Sequence, residues 1–400
     1  MKDKLKFVLI GCGRIATLHV KGYQDNPHAE LYGVYDKNIS QAKKFAEEFN
    51  IKKVYNSYDE VLSDKDVAAV EILVPHHLHA ELTVKACDHG KHVSVQKPMA
   101  LNLKECDLMI EAAKRNNVKL RVYENFVFYP PYQFAKKMLT DGEIGEPQGM
   151  RYKMNNCGLC SLNAPGSKLR AKAAGIDIGN LKPTGWKVDT LSWTWRLNDT
   201  LSGGGPVIFD DGYHKFSTIM YLLGDVEKVN AWIDYTSVIP GVYQDSPATI
   251  MWKHKNSKVY GVFDVTSSQD MYINSKYYTC DERVEITGSR GIIWVTRCTA
   301  TLLPEVAPVI MYRDGKLTEF RDMKADWADS FDNCTRDFID AIVNDREPVL
   351  SGERGREVLK FALAALDSAE KKQEIYLDSY EDKELKKRKG LLGMFFNRKR

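Results

Sequence analysis

A chain of 400 residues, 44% hydrophobic and 28% charged, is long enough for two domains with sizeable cores and has the composition of an ordinary globular protein. No apolar run approaches the roughly 18 residues that a membrane span needs, and eight cysteines scattered from Cys12 to Cys334 lack the spacing of a secreted disulfide framework, so most are expected to be free core residues. The net charge of +3 includes seven positive charges in Lys386–Lys389 and Arg398–Arg400, which leaves a body of −4 (3 − 7) with nothing that suggests a nucleic-acid partner.

The chain passes from Met1-Lys-Asp-Lys4 straight into an apolar strand, Phe7 to Ile10, which leaves no room for a signal peptide, and a cytoplasmic location is expected. That strand runs into Gly11-x-Gly13-x-x-Ala16 and then a helix, the pattern that fits a dinucleotide pyrophosphate. Gly11 allows the tight turn, Gly13 lets the backbone approach the phosphates, and Ala16 lets helix and strand pack, while free N–H groups at the helix start face the anion. Arg14 and Ile15 lie inside the same turn and are counted with the cofactor contacts. Asp36, 20 residues beyond Ala16 at the tip of the strand Leu31 to Tyr35, is placed to accept both adenosine ribose hydroxyls and to repel a 2′-phosphate. NAD is therefore the expected cofactor.

Strands at Ala69 to Val74, His92 to Val95 and Leu120 to Tyr123 alternate with helices at Ile15 to Asn26, Ile39 to Asn50, Tyr58 to Ser63, His79 to Gly90 and Leu103 to Asn116. This alternation predicts a doubly wound parallel sheet over residues 1–125. After Pro130-Pro131 the texture changes. Strands are expected at Gly149 to Asn155, Val226 to Tyr235, Ala248 to Lys253, Lys258 to Thr266, Arg283 to Thr287, Gly291 to Thr296, Val309 to Tyr312 and Gly315 to Arg321, several of them alternating in polarity as in an antiparallel sheet with one covered face. Amphipathic helices return at Ser330 to Asn344 and Gly352 to Lys371. Residues 126–380 are assigned to a second, substrate-binding and oligomerising domain, and 381–400 to a basic tail.

Chemistry concentrates in a few places. Lys97 in Val95-Gln96-Lys97-Pro98 follows a strand at the carboxyl edge of the parallel sheet, where it can hydrogen-bond a substrate hydroxyl and stabilise a developing alkoxide. In Gly203-Gly-Gly205 through Asp210-Asp211-Gly212-Tyr213-His214, Asp210 and His214 are four apart on a helical start, so a carboxylate can orient the imidazole or share a substrate with it. Glu124 and Asn125 are expected at the mouth of the site, beside the domain boundary. The long segment 155–202 carries Trp186, Trp193 and Trp195, aromatic planes on which a sugar ring can pack, with Trp193 taken as a substrate contact. Cys157-Gly-Leu-Cys160 lacks a second pair and is read as two incidental thiols; no metal site is assigned.

Together, Gly11-x-Gly13-x-x-Ala16, the stretch Glu71-Ile-Leu-Val-Pro75-His-His-Leu-His79-Ala-Glu81, Gln96-Lys97-Pro98, Gly204-Gly205 through Asp210-x-Gly212-x-His214, a late Ile286-x-Gly288-x-x-Gly291 turn and the closing helix Val358 to Ala369 resemble the glucose–fructose oxidoreductase, inositol dehydrogenase and rhizopine-catabolism family. The resemblance spans nearly the whole chain. It implies an α/β protein: an N-terminal Rossmann domain plus a C-terminal α/β domain built on a large, mostly antiparallel open sheet, with NAD(P)-dependent oxidation or reduction of sugars and polyols. By the same resemblance Lys97 is the catalytic lysine, Asp210 the motif aspartate and His214 the acid/base, while Pro75, His76, His79, Gln96 and Lys97 surround the cofactor. Gln96 departs from the family's usual glutamate.

The reading is an NAD-dependent dehydrogenase of a ring secondary hydroxyl on a sugar, glycoside or cyclitol. An NAD-dependent glycoside-cleaving enzyme that oxidises ring carbon 3 transiently is the second reading, and a non-catalytic nucleotide sensor the third. A homo-oligomer is expected through the second sheet, with Trp252, Tyr260, Phe263 and Trp294 on the shared face.

Overall fold

The computed structural model describes residues 4–159, 175, 195–197, 199–239, 242–273 and 275–382. Trp186, Trp193, Cys160, the Cys157 side chain and the basic stretch from Lys383 onward lie outside the described residues.

Six parallel strands form the first sheet, in the order Lys53–Val54, Ala29–Tyr35, Leu5–Ile10, Val67–Ile72, His92–Gln96 and Leu120–Tyr123. Phe7, Val8, Leu9 and Ile10 are all buried, as a strand covered by helices on both faces requires. Side-chain caps start the helices where the sequence places them: Asn38 accepts from Gln41 N–H, Ser57 from Glu60 N–H and Asn102 from Glu105 N–H. The first helix is shorter than its spacing predicts. It runs Ala16–His19 and tightens into a 3-10 turn, Val20–Tyr23, whose Tyr23 ring packs 5.1 Å from Phe7 while Lys21 pairs with Asp329 at 2.8 Å.

The second sheet has nine strands among the described residues, in the order Lys316–Phe320, Val309–Arg313, Gly291–Val295, Cys280–Gly288, Pro147–Leu159, Tyr260–Tyr272, Ala248–His254, Val226–Ile233 and Ile375–Tyr376. Pro147–Leu159 and Tyr260–Tyr272 pair in parallel; the other neighbours are antiparallel. Helices Pro130–Thr140, Gly212–Leu223 and Gly352–Lys371 cover one face, where Phe216 lies 4.6 Å from Phe361 and 6.1 Å from Phe263.

Register corrects the expected oligomerisation surface. Ile250 pairs with Phe263 and Trp252 with Gly261, which puts Phe263 (0% exposed) and Trp252 (2%) on the helix-covered face. Tyr260, 60% exposed, lies on the opposite face with Met251 and Trp232. Alternation at a period of two forbids Tyr260 and Phe263, three apart in one strand, from sharing a face.

The last helices return to the first domain. Val122 N–H donates to Leu350 O at 3.0 Å, Tyr123 OH to Phe331 O at 2.9 Å, and Phe338 and Ile339 join the cluster that contains Phe7 and Leu9. These contacts tie the C-terminal helices to the end of the parallel sheet's last strand. Among the described residues no helix is long and apolar enough to cross a membrane.

Candidate active site

The first strand ends at Gly11, whose φ of +105° and close approach to Leu73 O (2.4 Å from where a Cβ would stand) admit only glycine. At Gly13 a Cβ would project into open space, the room a pyrophosphate needs beside the N–H groups that open the helix. Asp36 closes the far side of this loop: Oδ2 accepts Cys12 N–H and Oδ1 accepts Asn38 N–H, both at 2.8 Å. Each oxygen keeps a lone pair for a ribose hydroxyl. The Arg14 guanidinium packs 5.4 Å over the Tyr278 ring, which comes from the second domain. The loop, the open space and the carboxylate fit a dinucleotide.

Across the cleft, Lys97 Nζ donates to Asp210 Oδ1 at 2.7 Å and to Asp210 O at 2.9 Å, joining the two domains through one ion pair. Arg196 Nε donates to the other carboxylate oxygen, Oδ2, at 2.7 Å, and its guanidinium packs over Trp195. Burial alone would raise the Asp210 carboxyl, but Lys97 and Arg196 hold it far below the usual carboxylate range. Asp245 can pack against the start of this turn because residue 205 is glycine: a Cβ there would meet the Asp245 carboxylate at 2.1 Å, and that carboxylate accepts the N–H groups of Val207 and Ile208, both at 2.8 Å. Pro206–Asp211 then forms a π-helical turn that leads into the helix Gly212–Leu223.

His214 sits one turn further along, and its ring partner is not Asp210. Nδ1 lies 2.6 Å from Glu124 Oε1, and Phe126 stacks on the imidazole at 4.1 Å and 15°. Burial, with Lys97 and Lys215 nearby, keeps the His214 imidazole neutral, its pKa well below the ordinary value. Burial pushes the Glu124 carboxyl up to about 8. Lys215 is fully buried between Asp211 (2.9 Å) and Glu282 (2.7 Å), which hold it protonated although burial opposes the charge.

Several expected contacts occupy other places. Glu124, expected at the mouth, is 0% exposed and stands behind His214; Asn125 turns away, its Nδ2 donating to Ser330 Oγ at 2.7 Å. The strand Leu120–Tyr123 ends under the helices that return from the C-terminal half, so both residues are covered. His79 is buried with its nitrogens 2.9 Å from Pro98 O and Val74 O, where it braces the loop rather than facing the cleft. His76 meets the second domain: Nδ1 is 2.8 Å from Ser202 O, Nε2 is 3.6 Å from Asp210 Oδ1, and Trp195 contacts its ring edge-on at 4.6 Å. Pro75 is half-buried beside it. Arg196 and His19 were not singled out by the sequence. Arg196 lies in a stretch without periodicity, whereas the three-residue spacing of Ala16 and His19, with Tyr23 beyond, carried a signal for His19 as a polar residue on an inward helix face.

A dinucleotide loop and a lysine that face an aspartate and a histidine across a two-domain cleft define an oxidoreductase with an NAD-binding Rossmann domain. Residues 5–124 match the family described as "Oxidoreductase family, NAD-binding Rossmann fold", and residues 180–377 its "C-terminal alpha/beta domain". The chain belongs to this glucose–fructose oxidoreductase and inositol dehydrogenase family. It is 26% identical over 383 residues to the myo-inositol 2-dehydrogenase of Thermotoga maritima, covering 94% of this chain and 99% of that one. Its fold is similar to levoglucosan dehydrogenase in complex with NADH and levoglucosan (TM-score 0.75, 21% identity, 94% of this chain and 100% of that one). It is equally similar to an oxidoreductase from Agrobacterium radiobacter in complex with NAD+, L-tartaric acid and magnesium (TM-score 0.75, 20% identity, 94% and 99% covered).

Proposed function

We propose that this protein oxidises a ring secondary hydroxyl of a sugar, glycoside or cyclitol, with Lys97 and His214 as the catalytic pair. The observation that carries this reading is the placement of Lys97 Nζ on Asp210, one helical turn from His214. Similarity to a myo-inositol 2-dehydrogenase and to levoglucosan dehydrogenase supports the substrate class.

In this mechanism His214 Nε2 takes the hydroxyl proton, because Nδ1 is committed to Glu124. The Lys97 ammonium has three hydrogens, of which two go to Asp210, and the third donates to the substrate oxygen as charge develops on it. Asp210, clamped by Lys97 and Arg196, holds that ammonium in place. Gly11, Gly13, Arg14, Ile15 and Asp36 hold NAD, with Pro75, His76 and Gln96 toward its reacting end; when bound, NAD supplies the hydride acceptor. Trp195, packed against His76 and Arg196, closes the wall on the second-domain side.

The test is a panel of cyclitols, anhydrosugars and glycosides followed by NADH absorbance. Steady NADH formation with a ring polyol or glycoside supports the dehydrogenase. Glycoside cleavage without net NADH assigns the chain to transient oxidation and elimination instead.

The second sheet supports self-association as part of the same reading. Its uncovered face carries Trp232, Tyr260, Tyr312 and Leu317, all exposed, around a shallow hollow lined by Arg151, Lys153, Asp264, Glu285 and Trp294. A second copy laid sheet to sheet buries these residues. The buried thiols of Cys12, Cys87, Cys106, Cys298 and Cys334, none of them in a disulfide, accord with a reducing, cytoplasmic setting.

A further inference from the structure

Glu124 ends the strand Leu120–Tyr123 and is 0% exposed. Its Oε1 accepts Phe126 N–H at 2.9 Å and faces His214 Nδ1 at 2.6 Å; its Oε2 is buried with no hydrogen-bond partner among the described residues. A carboxylate with one bare oxygen in such a place is costly as an anion. His214 meets the opposite difficulty. Lys97 approaches from the first domain and Lys215 from the same helix, so a second proton on the imidazole adds a positive charge beside two others, with Asp210 as the opposing charge. Phe126, stacked on the ring, prevents Nδ1 from turning to another acceptor.

We propose that Glu124 is the proton-holding partner of His214, so that base catalysis runs as a double proton shift through a neutral imidazole. The proposal rests on the reading of His214 as the base. In the resting pair Glu124 is ionised and accepts Nδ1–H, leaving the Nε2 lone pair toward the cleft. As the substrate O–H bond breaks, a new N–H bond forms at Nε2, the Nδ1–H bond breaks, and the proton bonds to Glu124 Oε1. The O–H electron pair stays on the substrate oxygen and becomes the carbonyl as hydride leaves carbon for NAD. Charge on the pair moves from Glu124 to the substrate oxygen beside Lys97, and imidazolium never forms between the two lysines. Reset follows the same atoms backward: Nε2 gives its proton to cleft water while Glu124 returns the other to Nδ1.

The groups facing the pair are Lys97, Asp210, Asp211, Tyr213 and Lys215, with the buried Cys334 thiol from the helix Asp329–Val343, and the titration belongs to Glu124 and His214 jointly. The oxidation-competent form appears as the pair loses a proton. Hence kcat/KM for oxidation rises with pH through about 8.

The test compares the full chain with Glu124→Gln, Glu124→Asp and His214→Asn, using myo-inositol and levoglucosan as probes and NAD binding as a control. Glutamine accepts Nδ1–H but cannot take the proton. Glu124→Gln should therefore lose about 10- to 100-fold in kcat and move the rising limb down by a pH unit or more, with NAD affinity within about twofold. Glu124→Asp should restore part of both. A wild-type limb and turnover in Glu124→Gln, with His214→Asn inactive, would overturn the relay alone; normal turnover in His214→Asn would overturn the base assignment itself. A readout that needs neither substrate nor a Glu124 variant is the 15N spectrum of histidine-labelled wild-type protein, with the His214 signal assigned by His214→Asn. The proposal expects a neutral ring that changes from Nε2–H to Nδ1–H between about pH 6 and 9; an imidazolium signal in that range refutes it.

Discussion

Gln96 Nε2 lies 3.1 Å from His19 Nε2, while the other end of the same amide, Oε1, accepts the Lys97 backbone N–H at 2.8 Å. The amide therefore reads in one direction, donor to His19 and acceptor to Lys97. His19 must then carry its proton on Nδ1 and donate it to Glu71, which also accepts Tyr23 OH at 2.5 Å. Burial holds the His19 imidazole below its ordinary value, although Glu71 pulls the other way. A glutamine, where the family pattern usually has glutamate, thus links the strand before Lys97 to a buried histidine without adding a charge.

Gln96→Glu should expose that arrangement. The new carboxyl stands against His19 Nε2, with the Glu71 carboxylate on the far nitrogen of the same buried ring, so burial and like charge raise its folded pKa above its unfolded value. Such a group costs nothing below the unfolded value, about pH 4, and its penalty grows as pH rises through the folded one. Denaturant unfolding should show a loss of about 1–3 kcal/mol at pH 8 that shrinks at pH 5. Equal losses at the two pH values would contradict it.

The choice of cofactor depends on Asp36. Its carboxylate closes the glycine turn and would meet a 2′-phosphate with like charge, a contact worth about 1–3 kcal/mol, or roughly 5- to 150-fold in affinity. Titration should therefore find NAD bound that much more tightly than NADP. Equal affinities would remove Asp36 from the site.

Replacing Lys97 or His214 by alanine should lower turnover by about two orders of magnitude or more while NAD affinity persists. Lys97→Ala leaves Asp210 still paired with Arg196, so its folding should survive. Turnover and NAD binding measured on the same preparation check this; Lys97→Ala at wild-type rate would leave the alkoxide unassigned.

The two faces of the second sheet separate stability from assembly. Phe263→Ala removes a ring packed against Tyr152 and Phe216 and should cost about 3–5 kcal/mol in unfolding. Tyr260→Glu, on the exposed face, should leave the melting temperature of the subunit within a few degrees yet shift sedimentation toward monomer. Wild-type protein that sediments as a monomer at micromolar concentration overturns the shared face.

The first domain was legible from local pattern because its signals are local. Asn38, Ser57 and Asn102 cap the helices that follow them, and Gly11 meets a steric demand that no other residue satisfies. The motifs also place Lys97 just past a strand end and Asp210 and His214 around a helix start, because strand ends and helix starts are set by neighbours in the chain. What the sequence could not determine is which of these side chains share a partner. Asp210 and His214 are spaced to face each other along a helix, yet Asp210 is taken by Lys97, 113 residues away, and His214 by Glu124, 90 residues away. Arg196 reaches Asp210 from a stretch whose sequence has no period to read, and Trp252 and Phe263 go inward because strand register fixes their parity. Such pairings are decided by where separate elements meet when the core closes, and desolvation then makes each buried charge depend on the partner it finds there.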